Sequence, residues 1–192
     1  MQFVKQHTSY TFEEKKSKFI THLFPYNQFK TIMEELKKEH PKARHFVYAY
    51  RHLNEFDQII ENSSDDGEPK GTSGKPSLAV LAGNGLINSG VIIVRYFGGI
   101  RLGTGGLVRA YSDSVNLVIQ NSELYPYIKL FVKTLSVDYG DLSKIEYQIA
   151  GCEITVLKKE FTSNVTLTLE AANEEFDKLI NILPIKYNLQ EN

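Results

Sequence analysis

Tryptophan is absent from this chain of 192 residues, and cysteine occurs once, at Cys152. A single cysteine cannot form a disulfide within the chain, and it cannot supply a zinc or iron–sulfur site built from several cysteines. Low cysteine content also fits a reducing compartment. We therefore expect no disulfide, no metal site and no other cofactor.

The sequence has no excess of charge of either sign, with 22 lysines and arginines against 23 aspartates and glutamates. This balance excludes a globally basic nucleic-acid coat protein, although a local basic patch stays open. Apolar runs such as residues 91–94 are far below the ~20 residues of a membrane-spanning helix, and the first residues carry no apolar segment of a secretory signal. We expect a soluble, cytoplasmic protein that makes no membrane contact.

Glycine is missing from the first 66 residues, whereas 11 of the 13 glycines lie between Gly67 and Gly106. Glycine permits a positive φ and a close approach of the backbone to a neighbouring group, at an entropic cost in regular structure. A cluster of this kind in mid-chain indicates a binding site built from backbone. A set of tight turns is the alternative explanation.

Apolar periodicity predicts a first domain, residues 1–125, that mixes strands and helices. Residues 29–36 carry apolar side chains at helical spacing behind Asn27, a suitable N-cap. The apolar run 91–94 predicts a strand that is buried on both faces. One strand is predicted before residue 18, without defined bounds, and further strands are predicted at 18–25, 44–51 and 91–97. The predicted helices are 27–40, 76–81 and 104–120.

A break at residues 122–127, around Pro126, separates this part from a second predicted domain, residues 128–192. Its predicted strands are 128–139, 152–161, 164–172 and 185–190, and its predicted helices are 142–150 and 174–183, with Asp141 and Asn173 as N-caps. The order strand, helix, strand, strand, helix, strand is that of the ferredoxin-like βαββαβ fold. The fold class predicted for the chain is α+β with two domains.

Three acidic residues fall within four positions of the segment 62–76, which is predicted to be a loop without secondary structure. The candidate residues of this acidic loop are Ser63, Ser64, Asp65, Asp66 and Glu68. Such carboxylates can hold a magnesium ion or accept hydrogen bonds from a basic partner, whereas a solvated turn explains the same composition. Calcium-loop spacing is absent and protein groups alone seldom hold magnesium, so no metal ligand is assigned.

A second motif, residues 94–109, runs from the predicted buried strand through paired glycines into a glycine-rich helix start. Backbone N–H groups at such a start form an anion site, to which arginines add charge. The candidate anion- or RNA-binding residues are Arg95, Gly98, Gly99, Arg101, Gly103, Thr104, Gly105, Gly106 and Arg109. The spacing matches neither the Walker A nor the dinucleotide-binding motif. A structural turn, with its arginines paired to the acidic loop, is the alternative.

Opposite charge predicts that the acidic loop lies close to the end of the strand at Arg95. In that arrangement Arg95 pairs with Asp65, Asp66 or Glu68 rather than with a ligand. The helix start at 103–106 is predicted to hold an anion such as phosphate or sulfate, because its amides lack intrahelical acceptors. The acids of the loop would compete for the same amides.

These two motifs resemble the IMPACT/YigZ family, and the resemblance covers essentially the whole chain. The matching stretches are 63–69 (SSDDGEP), 71–76 (GTSGKP), 95–99 (RYFGG) and 102–107 (LGTGGL), and residues 15–20, 48–50 and 110–111 are similar as well. The resemblance implies an N-terminal domain similar to domain two of ribosomal protein S-five. It also implies a ferredoxin-like C-terminal domain similar to domain V of elongation factor G.

For function, the resemblance implies a non-enzymatic regulator associated with translation, because its eukaryotic members regulate translation. The partners expected on this basis are RNA, the ribosome or a translation factor, contacted through the N-terminal domain. That domain carries 15 basic and 13 acidic residues, a small positive excess that predicts weak, salt-sensitive RNA binding. A protein-interaction module without RNA binding is a third reading.

An enzyme or binding protein for a phosphorylated small molecule is the alternative function. It rests on the glycine-rich helix start and the acidic loop, but no residue can be assigned as a catalytic base or nucleophile. One observation separates the hypotheses. A concave pocket lined by the arginines and acids of the two motifs favours the small molecule, and an open basic face favours RNA.

Overall fold

Two units with separate cores make up the computed structural model, which describes residues 1–191. The first unit spans Met1–Tyr127, and the second begins at Ile128. Each unit combines an antiparallel sheet with α-helices, so the predicted α+β class is confirmed. None of the five α-helices within the described residues has the length and apolarity needed to cross a lipid bilayer.

The first unit is built on a five-stranded antiparallel sheet with the order β2-β3-β6-β4-β5. A separate pair, β1 and β7, joins the two ends of this unit. In chain order its elements are β1 (Gln2–Phe3), β2 (Thr8–Glu14), β3 (Ser17–Pro25), α1 (Phe29–Glu39), β4 (His45–Leu53), β5 (Ile59–Ser64), α2 (Gly74–Gly83), β6 (Ser89–Tyr96), α3 (Gly103–Gln120) and β7 (Tyr125–Pro126).

The central strand β6 has a layer of helix on each face of the sheet. Val91 and Ile93 belong to one core with Val115 of α3, and Ile92 and Val94 belong to another with Ile32 and Leu36 of α1. All four side chains of β6 are fully buried. The prediction of a strand buried on both faces is therefore confirmed, and the end of β6 is held from both sides.

The predicted loop at 62–76 is wrong at both ends. Residues 62–64 belong to β5, where Ser63 and Ser64 pair with Ala49 and Tyr48 of β4, and α2 begins already at Gly74. The acidic loop itself covers residues 65–73. A polar edge strand carries no apolar alternation, which is why its pairing is invisible in the sequence.

Two further points concern strand β2 and the start of α1. The strand predicted before residue 18 is present as β2, along which Tyr10 and Phe12 alternate with exposed residues. The helix α1 begins at Phe29, after a 3-10 turn, with Gln28 and not Asn27 at its N-cap.

The second unit has the ferredoxin-like element order and the sheet order β11-β8-β10-β9, with all neighbours antiparallel. Its elements are β8 (Phe131–Val137), α4 (Leu142–Ala150), β9 (Thr155–Phe161), β10 (Val165–Ala171), α5 (Asn173–Ile182) and β11 (Leu189–Glu191). Asn173 is the first residue of α5 rather than its N-cap, and Asp141 stands at the N-cap of α4 without a side-chain capping bond.

The core of the second unit is contributed by its own sheet and helices, together with Leu183 and Tyr187 from the segment between α5 and β11. Leu135, Leu167 and Leu169 from the sheet are buried with Ile145 of α4 and Phe176 of α5. By strand alternation, Thr134, Ser136, Thr166 and Thr168 lie on the face of the sheet that points away from the helices. That face is polar and carries no aromatic side chain on β8 or β10.

We expect residues 128–192 to fold when expressed alone, because this core needs no side chain from the first unit. Thermal unfolding followed by circular dichroism is expected to be cooperative, with modest stability for so short a chain. A fragment without a cooperative transition, compared with the intact chain under the same conditions, would contradict an independent second domain.

Candidate anion-binding site

A cleft of about 420 Å³ lies where the end of β6, the acidic loop and the start of α3 meet. We call it the arginine cleft. The side chains that matter for its chemistry are Arg44, Arg95, Arg101, Glu68, Phe97 and Thr104. It therefore combines three cations, one acid, one aromatic ring and a helix N-terminus in a single concavity.

A buried ion pair forms the floor of the cleft. Arg95 Nη1 donates to Glu68 Oε1 at 2.5 Å, and the Tyr111 hydroxyl donates to the same oxygen at 2.9 Å. The two charged side chains are 7% and 4% exposed. Burial, together with the negative charge of Glu68, raises the pKa of Tyr111 far above its ordinary value, so its hydroxyl stays a donor. The prediction that the acidic loop lies beside Arg95 is confirmed.

The Arg95 guanidinium also lies between two aromatic rings. Its central carbon is 5.5 Å from the ring centroid of Phe19 and 5.8 Å from that of Phe97, which is within the range of cation–π attraction. Phe19 is fully buried, whereas Phe97 is 55% exposed at the rim of the cleft. Arg95 is therefore held from several sides, and Phe97 keeps a face free for solvent.

Asp65 and Asp66 bind backbone groups and do not line the cleft. The Asp65 carboxylate accepts from the amides of Gly71, Ser73 and Gly74 and from the Ser73 hydroxyl, at 2.7–3.1 Å. It therefore caps the start of α2. Burial alone would raise the pKa of Asp65, but these hydrogen bonds outweigh it and hold the pKa below its usual value.

Asp66 fastens the loop to the first residues of β4. Its Oδ2 accepts from the Phe46 amide at 2.6 Å, and its carbonyl oxygen accepts from His45 Nδ1 at 2.8 Å. The structure thus divides the predicted acidic set. Ser63 and Ser64 lie in a strand, Asp65 and Asp66 bind backbone, and Glu68 alone faces the cleft.

Gly98 is required by a close approach of two backbone segments. A Cβ on Gly98 would lie 2.0 Å from the carbonyl carbon of Lys16. Lys15 and Lys16 form the two-residue turn between β2 and β3 with φ of 47° and 64°, a conformation that usually calls for glycine or asparagine. Ser17 Oγ then accepts from the Gly98 amide at 3.3 Å. The end of β6 is locked onto this turn.

The first amides of α3 are open to the cleft. Leu102 stands at the N-cap and gives no side-chain capping bond, so the first N–H groups lack an acceptor. The acids of the loop were a predicted competitor for them, and this is wrong, since Asp65 caps α2 instead. Gly99 and Gly103 have φ of 87° and 71°, which explains why they are glycines.

Gly105 has no such structural reason. It lies in the first turn of α3, and a Cβ there would meet nothing within 4 Å. An exposed glycine in a helix costs roughly 1 kcal/mol relative to alanine. Gly106 would place its Cβ 3.2 Å from the Leu102 side chain. Arg109, also a predicted site residue, lines a separate cavity with Lys15 and Asp113, so the structure does not bring it into the cleft.

Sequence reasoning missed Arg44, His45, Phe97 and Tyr111. Arg44 and Arg101 are exposed and form no ion pair with any residue from 1 to 191. A neighbouring hollow of about 280 Å³, lined by Lys42, Arg44, Arg95 and Phe97, continues the cleft. The basic pair 42 and 44, just before a strand, was the available signal.

Comparisons with known proteins agree on one family. The sequence matches the Impact N-terminal domain over residues 15–119 and a domain of unknown function (DUF1949) over residues 135–183. An IMPACT family member from Haemophilus influenzae is 38% identical over 163 residues, which is 82% of this chain and 79% of that protein. The IMPACT family member YigZ of Escherichia coli is 39% identical over 158 residues, covering 81% of this chain and 78% of YigZ.

A solved structure shares this fold. A crystal structure of a hypothetical protein aligns with a TM-score of 0.68 and 33% sequence identity, and it covers 100% of this chain and 96% of that protein.

Replacing Glu68 by glutamine tests the floor of the cleft. The change keeps the side-chain size but leaves Arg95 buried without its counter-charge, so we expect the free energy of unfolding to fall by about 3 kcal/mol. The matched control is Glu160→Gln in the exposed pair with Lys158, where the loss is expected to stay under about 1 kcal/mol. Urea unfolding of both variants measures the difference, and equal small losses would refute the structural role of Glu68.

Asp65→Asn tests the cap of α2. Because the folded protein lowers the pKa of Asp65, its carboxylate stabilises the fold above the pKa of the unfolded chain, ~4. That stability is lost as the pH falls through the lower, folded pKa. We expect the variant to lose about 1–2 kcal/mol at pH 7 and to lose less than the parent on further acidification to about pH 2. Asp113→Asn, an exposed acid of α3, is the control, and identical acid profiles for Asp65→Asn and the parent would contradict the cap.

Proposed function

This chain belongs to the IMPACT family, and on that premise we propose that its first unit is a non-enzymatic binding module of translation that contacts RNA through the arginine cleft. The observation that carries the proposal is the charge of the cleft. Arg44, Arg95 and Arg101 face one acid, Glu68, which is already paired with Arg95. Two cations are left without a counter-ion beside an open helix N-terminus.

This excess of positive charge suits a phosphate backbone. Arginines that lose no internal partner can neutralise phosphates at little cost, and the release of counter-ions drives such binding. The α3 N-terminus adds roughly half a positive charge, and the Thr104 hydroxyl at the cleft wall can donate a hydrogen bond. The neighbouring hollow with Lys42 extends the basic surface beyond one phosphate group.

The aromatic ring at the rim favours nucleic acid over a bare anion. Phe97 is 55% exposed and stands beside Arg95. Base-on-aromatic stacking is a common source of sequence-tolerant binding to single strands. An exposed ring next to free arginines offers both kinds of contact at one place.

The arrangement of the acids supports a binding role rather than catalysis. Asp65, Asp66 and Glu68 each already accept strong hydrogen bonds, and the Nδ1 of His45 is held by the Asp66 carbonyl. A general base needs a carboxylate or imidazole nitrogen within reach of the substrate proton. Glu68 faces the cleft, but its charge is neutralised by Arg95.

The second unit is a weaker candidate for the RNA contact. RNA-binding sheets of this topology stack bases on aromatic side chains. Here Thr134, Ser136, Thr166 and Thr168 lie on the face away from the helices. A role in translation also implies a cytoplasmic location, which is part of the proposal.

Two observations favour the second candidate, a phosphorylated small molecule. One is the concavity of the cleft, which is lined by the arginines and by Glu68, although not by Asp65 and Asp66; the other is Gly105. Gly105 leaves the first turn of α3 bare at a cost in helix stability, and no contact in the fold requires it. Glycines at a helix start allow close approach of a phosphate group. The two functions predict different dependences of affinity on ligand length. A small molecule fills the cleft alone, whereas an RNA strand passes beyond it and gains further contacts.

The double variant Arg44→Ala/Arg101→Ala tests the proposal. Fluorescence anisotropy with a labelled single-stranded RNA is expected to show at least tenfold weaker binding at low salt. The slope of log affinity against log salt should fall by about 0.7 for each arginine that contacts a phosphate. Lys37→Ala/Lys38→Ala removes the same charge from exposed positions on α1 and serves as the control. An equal loss in both double variants would reduce the effect to net charge and refute the cleft.

Gly105→Val separates the two candidates. The variant blocks the α3 amides but keeps all arginines, and circular dichroism checks that it is folded. For a small phosphorylated ligand, binding of inorganic phosphate or a sugar phosphate is expected in the parent and lost in the variant. For RNA, we expect only a partial loss, because the arginine contacts persist. Unchanged binding of both ligands would assign a purely structural role to the helix start.

A further inference from the structure

A second cavity, of about 500 Å³, lies at the other end of β4. The arginine cleft includes His45, the first residue of β4, whereas this cavity includes His52 and Leu53, its last two residues. His52 lies seven positions after His45 on the same strand, a distance of roughly 24 Å at the rise of an extended chain. The cavity is therefore a distinct site, and its volume is in the range of small-molecule pockets.

Two stacked rings form one wall of the cavity. The rings of Tyr26 and His52 are nearly parallel, with an interplanar angle of 5° and centroids 3.9 Å apart. Tyr50, which lies on β4 with His52, packs against this pair, with its ring centroid 4.9 Å from that of Tyr26. Both stacked rings line the cavity and are only half-buried. A flat aromatic ligand can extend this stack.

Three carboxamides stand beside the rings. Asn27 and Gln28 line the cavity, are exposed, and form no side-chain hydrogen bond with the part of the chain that the structure describes. Asn88 Oδ1 accepts from the Leu53 amide at 2.9 Å, which leaves its NH₂ group as a donor. Asn27 and Gln28 each present donors beside a free acceptor, the pattern that pairs with the edge of a nucleobase, and Asn88 adds a donor.

His52 and Lys5 add an acceptor and a cation to the lining of the cavity. His52 Nδ1 donates to the Leu53 carbonyl at 3.1 Å, so Nε2 of the neutral ring is an acceptor. Lys5 lines the cavity, and its ammonium lies 4.1 Å from the Tyr125 ring centroid. No carboxylate from residues 1–191 lines this cavity. The lining thus offers a stacking surface, hydrogen-bonding groups and one cation.

We propose that this cavity binds a nucleobase, with a purine stacked on the Tyr26–His52 pair, its edge bonded by the carboxamides, and an attached phosphate near Lys5. A purine suits the site because its larger ring covers more of the stack. The base belongs either to a free nucleotide or to single-stranded RNA. The inference uses none of the side chains of the arginine cleft and stands independently of the proposed function.

Nuclear magnetic resonance of the His52 ring protons in the full chain gives a direct readout. Adenosine and adenosine monophosphate are each expected to shift these signals upfield through ring stacking, with the monophosphate bound several-fold more tightly because of Lys5. The natural ligand is identified as RNA if a short oligoadenylate binds at least tenfold more tightly than the monophosphate. The double variant Arg44→Ala/Arg101→Ala is then expected to lose this gain in affinity. Equal affinity for the oligoadenylate and the monophosphate identifies a free nucleotide.

Matched variants make the assignment specific. His52→Ala and the double variant Asn27→Ala/Gln28→Ala are each expected to weaken binding of adenosine monophosphate at least tenfold. Tyr147→Ala and Gln120→Ala remove an exposed ring and an exposed carboxamide elsewhere and should leave affinity unchanged. The carboxamide variant keeps the test valid if loss of His52 impairs folding, because the side chains of Asn27 and Gln28 form no hydrogen bond with residues 1–191 and give no capping bond to α1.

The proposal is overturned if millimolar adenosine, adenosine monophosphate and oligoadenylate all leave the His52 signals unmoved. It is also overturned if the cavity variants and the controls bind alike. Arg44 and Arg101 lie outside this cavity. If RNA binding is lost only in their double variant, the result reports on the arginine cleft. If it is lost only in the His52 variant, the result reports on the nucleobase site.

Discussion

A single carboxylate oxygen, Glu68 Oε1, links three segments of the first unit beneath the arginine cleft. Glu68 Oε1 receives both the Arg95 guanidinium and the Tyr111 hydroxyl in a region closed to water. An uncompensated charge at this depth is very unfavourable. The acidic loop, β6 and α3 are therefore constrained to keep their positions relative to one another. The cleft above this oxygen exists because three segments distant in sequence meet there.

The same constraint explains why a nearly neutral chain has a basic cleft. The three acids of the acidic loop are turned inward, towards the start of α2, the start of β4 and Arg95. Arg44 and Arg101 are left without partners among the described residues. Charge balance in composition therefore says little about local potential, because hydrogen-bonded carboxylates and free arginines contribute to it so differently.

Regular periodicity decided what could be predicted from the sequence. The doubly buried β6 and the element order of the second unit carry strong local patterns, and both were predicted. Strand β5 shows no apolar alternation, and the only local signal for Arg44 is its pairing with Lys42 just before a strand, so neither was predicted. The bond from Asp66 to the Phe46 amide joins residues 20 positions apart, and the capping of α2 by Asp65 spans up to nine. Such pairings follow from the fold and not from neighbouring residues.

The turn at Lys15 and Lys16 has a practical consequence for anyone who modifies this protein. Hairpin tips are usually the safest places to insert a tag or attach a dye. This tip is an exception, because its backbone leaves no room at Gly98 for even one methyl group and both lysines already adopt a left-handed conformation. A label there would disturb the end of β6 about as much as a mutation inside the cleft. The exposed tip at Thr162 and Ser163, between β9 and β10, is the better attachment point.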